Sequence, residues 1–340
     1  IMKKLIILLV FLLFINIAYA QETFDEDLAI DWLESNVNWD QANIEETSFA
    51  LLALNGDNTG LAALNDKIET CRTGNCDTKD TALAALALGN SANADLIDVL
   101  NNAITTYSST GWKIQVLTDS QGSCQITNGD NTQNINVNPN SDWFNLNFNF
   151  DEINEVITVD CSDVEDSAMI ISLLRVSGNS IYIIDQKTGN NVNLELVNGC
   201  FARRANGNCD IQSSFYAAWA LNKLNEDVNY VIPYLEDNAD SALYKGMLNS
   251  IKRDSGLASS LVNMQNSDGS WSNSVYITSF VIDGIRDISD TEAIDAQNWI
   301  KDRQQDDGSL GNVLDTSVAL YLGLGVITPN NGSNGFSPEC

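Results

Sequence analysis

The chain has no histidine and few cations: 17 lysines and arginines stand against 46 aspartates and glutamates in 340 residues, a formal charge of −29. Without histidine there is no Ser-His or Cys-His nucleophile pair, none of the usual zinc ligand sets, and no access to the commonest general base. The acidic excess disfavours nucleic acid and anionic membrane surfaces as partners. Cations, cationic ligands or a saline habitat suit it better, and a plain solvated acidic surface accounts for the same composition.

Long apolar runs are also scarce. The one present, Leu5 to Ile17, follows Met2-Lys3-Lys4 and precedes Ala18-Tyr19-Ala20, a basic, apolar and cleavable layout that predicts a secretory signal peptide over 1–20. The run is shorter than the roughly 20 residues that span a bilayer. Ile1 before Met2 suggests that the frame begins upstream of the natural start. The expected product is exported, at or beyond the cell surface. Seven cysteines agree with an oxidising compartment. Six fall into neighbouring pairs, Cys71 with Cys76, Cys124 with Cys161 and Cys200 with Cys209. Cys340 remains, either to pair with another chain or because the chain is a piece of a longer one. The tail "TPNNGSNGFSPEC" over 328–340 reads as a linker and holds the sequon Asn331-Gly332-Ser333.

What is abundant is self-similarity. "QNSDGSWSNSVYITSFVIDGI" from Gln265 matches "QQDDGSLGNVLDTSVALYLGL" from Gln304, with Gly269 and Gly308 standing 39 positions apart. The second half of this unit recurs as "IEETSFALLAL" from Ile44, "CDTKDTALAALAL" from Cys76, "CSDVEDSAMIISLL" from Cys161 and "CDIQSSFYAAWAL" from Cys209. The aligned positions are Thr47, Thr81, Asp166, Ser214, Thr278 and Thr316, and "ADSALYKGMLNSI" from Ala239 is a degenerate copy. Each copy opens with acidic or hydroxyl side chains that can cap a helix and continues into an apolar run. Amphipathic segments such as "DEDLAIDWLES" and "TEAIDAQNWIKD" alternate with these runs. Short alternating runs from Gly111 to Asp160, and again from Ser180 to Val197, read as antiparallel strands. The predicted organisation is a first helical part over 21–110, a β excursion over 111–160, and a second helical part over 161–327 with a hairpin near 180–197.

"QNSDGSW", Gln265 to Trp271, resembles the Q-x-x-x-G-x-W motif of the squalene-hopene cyclase and prenyltransferase repeats, and Gln304 to Gly308 repeats it up to Leu310 in place of Trp. The resemblance implies a mainly α fold, an α/α toroid of helical hairpins with antiparallel β excursions, in which Gln265, Gly269, Trp271, Gln304 and Gly308 stitch outer helices to inner ones. It implies a further comparison at Asp163-Val164-Glu165-Asp166-Ser167-Ala168. Class II terpene cyclases of this superfamily carry D-x-D-D-T-A at the head of an inner helix, and Glu165 would stand at the proton donor's position, flanked by Asp163 and Asp166. The copy Asp77-Thr78-Lys79-Asp80-Thr81-Ala82 has nearly the same pattern, so acids before these helices are also a habit of the repeat. The zinc site of the protein prenyltransferases includes histidine, and complement-type thioester domains need Cys-Gly-Glu-Gln; this chain has neither. Toroidal polysaccharide lyases use His or Tyr as base, which leaves Tyr107, Tyr216 or Tyr276.

The leading expectation is a secreted or cell-surface binding module, non-catalytic, that contacts a protein, glycan or cationic ligand through a carboxylate-rich rim or through the β excursion. Inner helices starting at one mouth would gather Glu46, Asp80, Glu165, Asp166, Asp210 and Asp315 there. A cyclase-like enzyme using Glu165 and a polysaccharide-processing enzyme are the alternatives. No metal or cofactor is expected; calcium is the ion that the oxygen ligands could hold, but no ordered calcium-loop spacing is present.

Overall fold

Short polar residues start most of the helices, and their side chains explain where each begins. The computed structural model describes residues 24–89, 94–107, 111–150, 153–166, 168–177 and 180–325. The expected signal peptide, the linker-like tail, the sequon and Cys340 lie outside these residues. α1 (Glu26–Asn36), α2 (Ile44–Ala53) and α3 (Asn58–Lys67) follow Asp25, Asn43 and Asp57, each of which accepts a hydrogen bond from an amide of the first turn. The one-turn α4 (Glu69–Arg72), α5 (Thr78–Leu88) and α6 (Ala94–Asn102) complete the first helical part.

The chain then leaves the helices for ten strands: β1 (Ile104–Thr106), β2 (Trp112–Thr118), β3 (Gly122–Asn128), β4 (Asn131–Val137), β5 (Asn140–Asn145), β6 (Asn154–Asp160), β7 (Ile170–Ser177), β8 (Ser180–Thr188), β9 (Asn191–Val197) and β10 (Gly199–Phe201). It returns as α7 (Ile211–Lys223), α8 (Ile232–Asn238), α9 (Ala242–Lys252), α10 (Ser255–Val262), α11 (Val275–Ile285), α12 (Asp290–Lys301) and α13 (Val313–Val318). Asp210, Ser241, Asp254, Ser274 and Asn312 cap α7, α9, α10, α11 and α13.

Two kinds of helix alternate. α2, α5, α7, α9, α11 and α13 are buried on most sides; in α7 every residue from Ser213 to Leu221 is buried. Each of these packs against the next, and α13 returns against α2, so the six form a closed circuit. α1, α3, α6, α8, α10 and α12 bury only narrow stripes, such as Ala29 and Leu33 of α1. The centre of the circuit is filled. Phe49, Trp219 and Phe280 are fully buried there, with ring centroids 5.1 Å apart for Trp219 and Phe280 and 5.9 Å for Phe49 and Phe280, both edge-on. Aromatic edge-to-face pairs add about 1 kcal/mol beyond the burial of their area.

β2 to β9 make two four-stranded antiparallel sheets, ordered β5-β2-β7-β8 and β4-β3-β6-β9. Their inner faces share one core, with Ile114 and Val116 of β2 and Leu173 of β7 meeting Ile126, Ile157 and Leu194 from the other sheet. β2 and β9 alternate buried and more exposed residues along their length, as strands with one covered face do. β1 pairs with β10 as a neck that joins this sandwich to the helices, Ile104 opposite Phe201.

The expectation of a mainly α toroid is corrected by this middle region. Among the described residues the middle of the chain forms two four-stranded antiparallel sheets, so the fold is not a mainly α toroid. The largest local error lies at Ser162 to Arg175. Its first residues form a turn and its "IISLLR" opens β7, a strand bonded to β2 on one side and β8 on the other. A strand buried on both faces reads as a continuous apolar run, the same signal as a buried helix. The β region therefore continues into β7, where a helical part was expected to begin, and α9, which holds the degenerate copy from Ala239, occupies the fourth place in the circuit. The three cysteine pairs suggested by spacing lie at disulfide distance, with Cα separations of 4.5 Å for Cys71–Cys76, 4.1 Å for Cys124–Cys161 and 5.5 Å for Cys200–Cys209. Among the described residues, no helix is long and apolar enough to cross a membrane.

Candidate functional site

The first turns of the circuit helices meet at one end, and their polar side chains are tied to one another. Tyr276 of α11 donates to Glu45 Oε1 of α2 at 2.9 Å, and Lys79 of α5 donates to Glu45 Oε2 at 2.7 Å. The Tyr216 and Tyr276 hydroxyls lie 2.5 Å apart; because Tyr276 gives its proton to Glu45, Tyr216 of α7 must be the donor of that pair. Lys79 Nζ also sits 4.5 Å over the Tyr216 ring. Burial pushes both phenols up, so they stay protonated donors. That makes Tyr216 and Tyr276 poor candidates for the base of a lyase.

The expected rim is only partly assembled. Glu46, Asp80, Asp210 and Asp315 do stand at helix starts. Asp210 is a cap, accepting from the Ser213 amide at 2.8 Å. Burial raises the Asp80 carboxyl, against the pull of Lys79 and with help from Asp77 and Glu45; burial likewise raises Asp315. Asp77 goes the other way: hydrogen bonds from Arg203, at 2.6 and 2.9 Å, hold it below the usual carboxylate range, and Arg204 adds to them. Arg203 and Arg204 come from the loop closed by Cys200–Cys209, whose Ala202 and Arg203 carbonyls accept from Thr78.

Asp163, Glu165 and Asp166 are not at a helix head. All three lie in the turn between β6 and β7 on the sandwich, which corrects both the rim and the proton-donor assignment. Asp166 organises that turn, accepting from Thr118 Oγ1 at 2.9 Å, the Asp119 amide at 3.1 Å and the Ala168 amide at 2.9 Å. Asp163 accepts from Ser123 Oγ, and Glu165 is exposed. A proton donor for an alkene needs a closed apolar cavity around it; Glu165 has solvent, and the circuit's centre holds Phe49, Trp219 and Phe280.

The repeat motif does stitch elements together. Gln265 Nε2 donates to the carbonyls of Gly269 and of Glu292 on α12, and Trp271 is buried with Nε1 on the Leu261 carbonyl. Gln304 does the same for Gly308 and for Asp25 ahead of α1. Gly269 and Gly308 have φ of +93° and +96°, a backbone region that disfavours side chains. The acid just before each glycine completes the loop: Asp268 accepts from Trp299 Nε1 at 2.9 Å, and Asp307 from Trp32 Nε1 at 3.1 Å. Among the described residues, no group of three or more His, Cys, Asp or Glu has an arrangement that could hold a metal ion.

A second surface lies where the sandwich meets the helices. Arg175 of β7 is fully buried between Glu236 and Asp237 of α8, with Oε2 of Glu236 at 2.7 Å and a second contact to Asp237. Tyr107 also donates to Asp237, and burial with this bond pushes its phenol up to about 12. It too is protonated at neutral pH. Beside this junction runs a groove of about 670 Å³, lined by Ile181 to Asp185 of β8, Glu195 and Val197 of β9, and one side of α8. Ile181 and Ile183 are 53% and 61% exposed, and Ile183 is the most exposed large apolar side chain among the described residues. The sequence pattern marked "SIYIID" only as half of a hairpin, and Arg175 was hidden inside an apparent helix; a lone arginine in an apolar run was the available signal. Comparison with protein-family models, with curated proteins and with solved structures gives no match to this chain.

Proposed function

We propose that this protein is an extracellular binding module whose contact surface is the inserted β sandwich. The observation that carries the reading is the pair Ile181 and Ile183, exposed side by side on an edge strand along a groove. Adjacent exposed apolar side chains at a concave site are a feature of interaction surfaces, whereas single ones are ordinary. The acids at the helix mouth are engaged internally: Asp77 with two arginines, Glu45 with Lys79 and Tyr276, and Asp210 as a cap. They serve the circuit rather than a partner. Three disulfide pairs and the leader-like N-terminus support an exported protein.

The test is an array of glycans and cationic peptides probed with wild type, with Ile181→Asp/Ile183→Asp and with Asp80→Asn/Asp315→Asn. Binding lost in the isoleucine variant and kept in the aspartate variant is the expected result. The reverse pattern would return the contact surface to the helix mouth and reject the sandwich.

A further inference from the structure

The groove beside β8 is shaped along a strand's edge, not over one of its faces. Successive residues of a strand point to opposite faces, yet Ile181, Tyr182, Ile183, Ile184 and Asp185 all line it without a gap. A bulge at Ile184, which stands opposite no residue of β7, breaks the alternation before Asp185, but Ile181 to Ile183 keep a regular register with β7, and a cavity that meets three regular residues in a row follows the backbone edge. Among the described residues β8 is the terminal strand of its sheet and pairs with β7 alone, so the main-chain groups on its other side have no ladder partner there. β9 follows β8 by a tight turn but belongs to the opposite sheet. The Glu195 amide of β9 is bonded to the Asp185 carboxylate at 2.9 Å. Past that point the two strands do not pair, and Asn229, Ile232, Pro233 and Glu236 close the far side of the groove.

Edge strands are normally blunted by charge, proline or a cover. The one irregularity of β8 among its described pairs is the bulge at Ile184; the stretch from Ser180 to Ile183 before it carries no charge, no proline and no bulge, and two of its side chains are the exposed isoleucines. An edge left open in this way is a template for strand addition, in which main-chain bonds give affinity and alternate side chains give selectivity. The charges at the groove define the partner further. Lys187 is 3.5 Å from Asp185 and Lys252 is paired with Glu236. Glu195 has no cation within ion-pair distance among the described residues, which leaves the groove negative on a chain whose formal charge is −29.

Resting on the reading of the sandwich as the contact surface, we infer that the groove takes an extended peptide segment with alternating β-branched side chains and basic flanks, bound as an added strand on β8. The peptide's amides and carbonyls bond the Ser180–Ile183 edge, one set of its alternate side chains packs on Ile181, Ile183 and Ile232, and its flanking cations meet Glu195 and the acidic surface.

The probe is a fluorescent heptapeptide, Lys-Val-Thr-Val-Thr-Val-Lys, with two further versions N-methylated at alternate residues in one frame or the other. Only one frame of amides can face β8. The expected result in anisotropy titrations is saturable binding by the parent, at least tenfold weaker binding for one methylated frame, and little change for the other. Ile181→Asp/Ile183→Asp weakens the parent by a similar factor, and circular dichroism checks that this variant is folded. Absence of saturable binding, or equal tolerance of both methylated frames, overturns strand addition. A dimer in sedimentation that the Ile181→Asp/Ile183→Asp variant abolishes and the peptide leaves intact would also overturn it, by assigning the edge to a second copy of the chain. If the peptide fails while the isoleucine variant still loses a ligand of the array, strand addition falls and the sandwich remains the contact surface.

Discussion

Gln304 holds both main-chain groups of Asp25. Its Oε1 accepts from the Asp25 amide at 2.7 Å and its Nε2 donates to the Asp25 carbonyl at 2.6 Å, across a sequence separation of 279. The loop between α12 and α13 thereby grips the start of α1, and Asp307 with Trp32 adds a second tie a few residues on. The circuit is closed by a loop motif as well as by apolar packing between α13 and α2.

Gln304→Ala should therefore cost more than an ordinary surface change. With the bond to the Gly308 carbonyl, Gln304 makes three bonds to main-chain groups; each is worth about 1 kcal/mol net, so the loss is about 2–3 kcal/mol, read as a lower urea midpoint with an unchanged slope. Gly308 provides a companion test. Both Gly56 and Gly308 have positive φ, but a Cβ on Gly56 meets nothing within 4 Å, whereas one on Gly308 collides with the Leu28 carbonyl oxygen. Gly56→Ala should cost about 1 kcal/mol from backbone strain, and Gly308→Ala clearly more. Equal costs would mean that Gly308 is there for its turn alone and not for the approach of α1.

The repeat was legible where a side chain has one local job. Among the aligned positions, Thr278 bonds both main-chain groups of Trp271, Ser214 those of Phe201, and Thr316 the Leu310 amide. Each of these hydroxyls pins the segment before its helix, whereas the aligned Thr81 hydroxyl bonds the Asp77 carbonyl and the buried Thr47 hydroxyl has no hydrogen-bond partner among the described residues. The alignment misled at Asp166, because an acid that opens a turn before a strand looks the same as one that caps a helix. It was weakest at α9, where four residues beyond the Ser241 cap stands Lys245, without the hydroxyl. The edge of β8 could not be read at all. Which strand ends a sheet depends on pairing between distant segments, and "SIYIID" carries no mark of it.

Arg175 ties the sandwich to α8 through its paired charges, with its guanidinium also 4.6 Å over the Tyr182 ring. With Arg175→Met, Glu236 keeps Lys252, but Asp237 keeps only the Tyr107 hydroxyl for its buried carboxylate. Breaking one side of a buried ion pair costs about 3–5 kcal/mol, while replacing the whole group by neutral residues costs far less. The triple change Arg175→Met/Glu236→Gln/Asp237→Asn should then recover much of the stability lost in the single variant, measured by chemical denaturation. Additive losses would show that the cluster's members act independently.

Asp77 and Asp80 stand three residues apart at the start of α5 and should respond to pH with opposite signs. Arg203 chiefly holds Asp77 below the ordinary aspartate value of 3.8, so its charge stabilises the fold above that value, and this contribution disappears as pH falls through the lowered folded value. Burial chiefly raises Asp80 above 3.8. Its folded state favours the protonated form, so its contribution is present below 3.8 and is lost as pH rises through the raised folded value. At pH 7 Asp77→Asn should therefore lower the melting temperature and Asp80→Asn should raise it. Both differences from wild type should shrink towards zero as the pH is taken well below 3.8, where the wild-type carboxyls are neutral too. Melting curves of the three proteins from neutral to acid pH test this. A fall in stability for Asp80→Asn at neutral pH would mean that its attraction to Lys79 and to the helix start outweighs the cost of burying its charge, and that the mouth of the circuit is held by that acid after all.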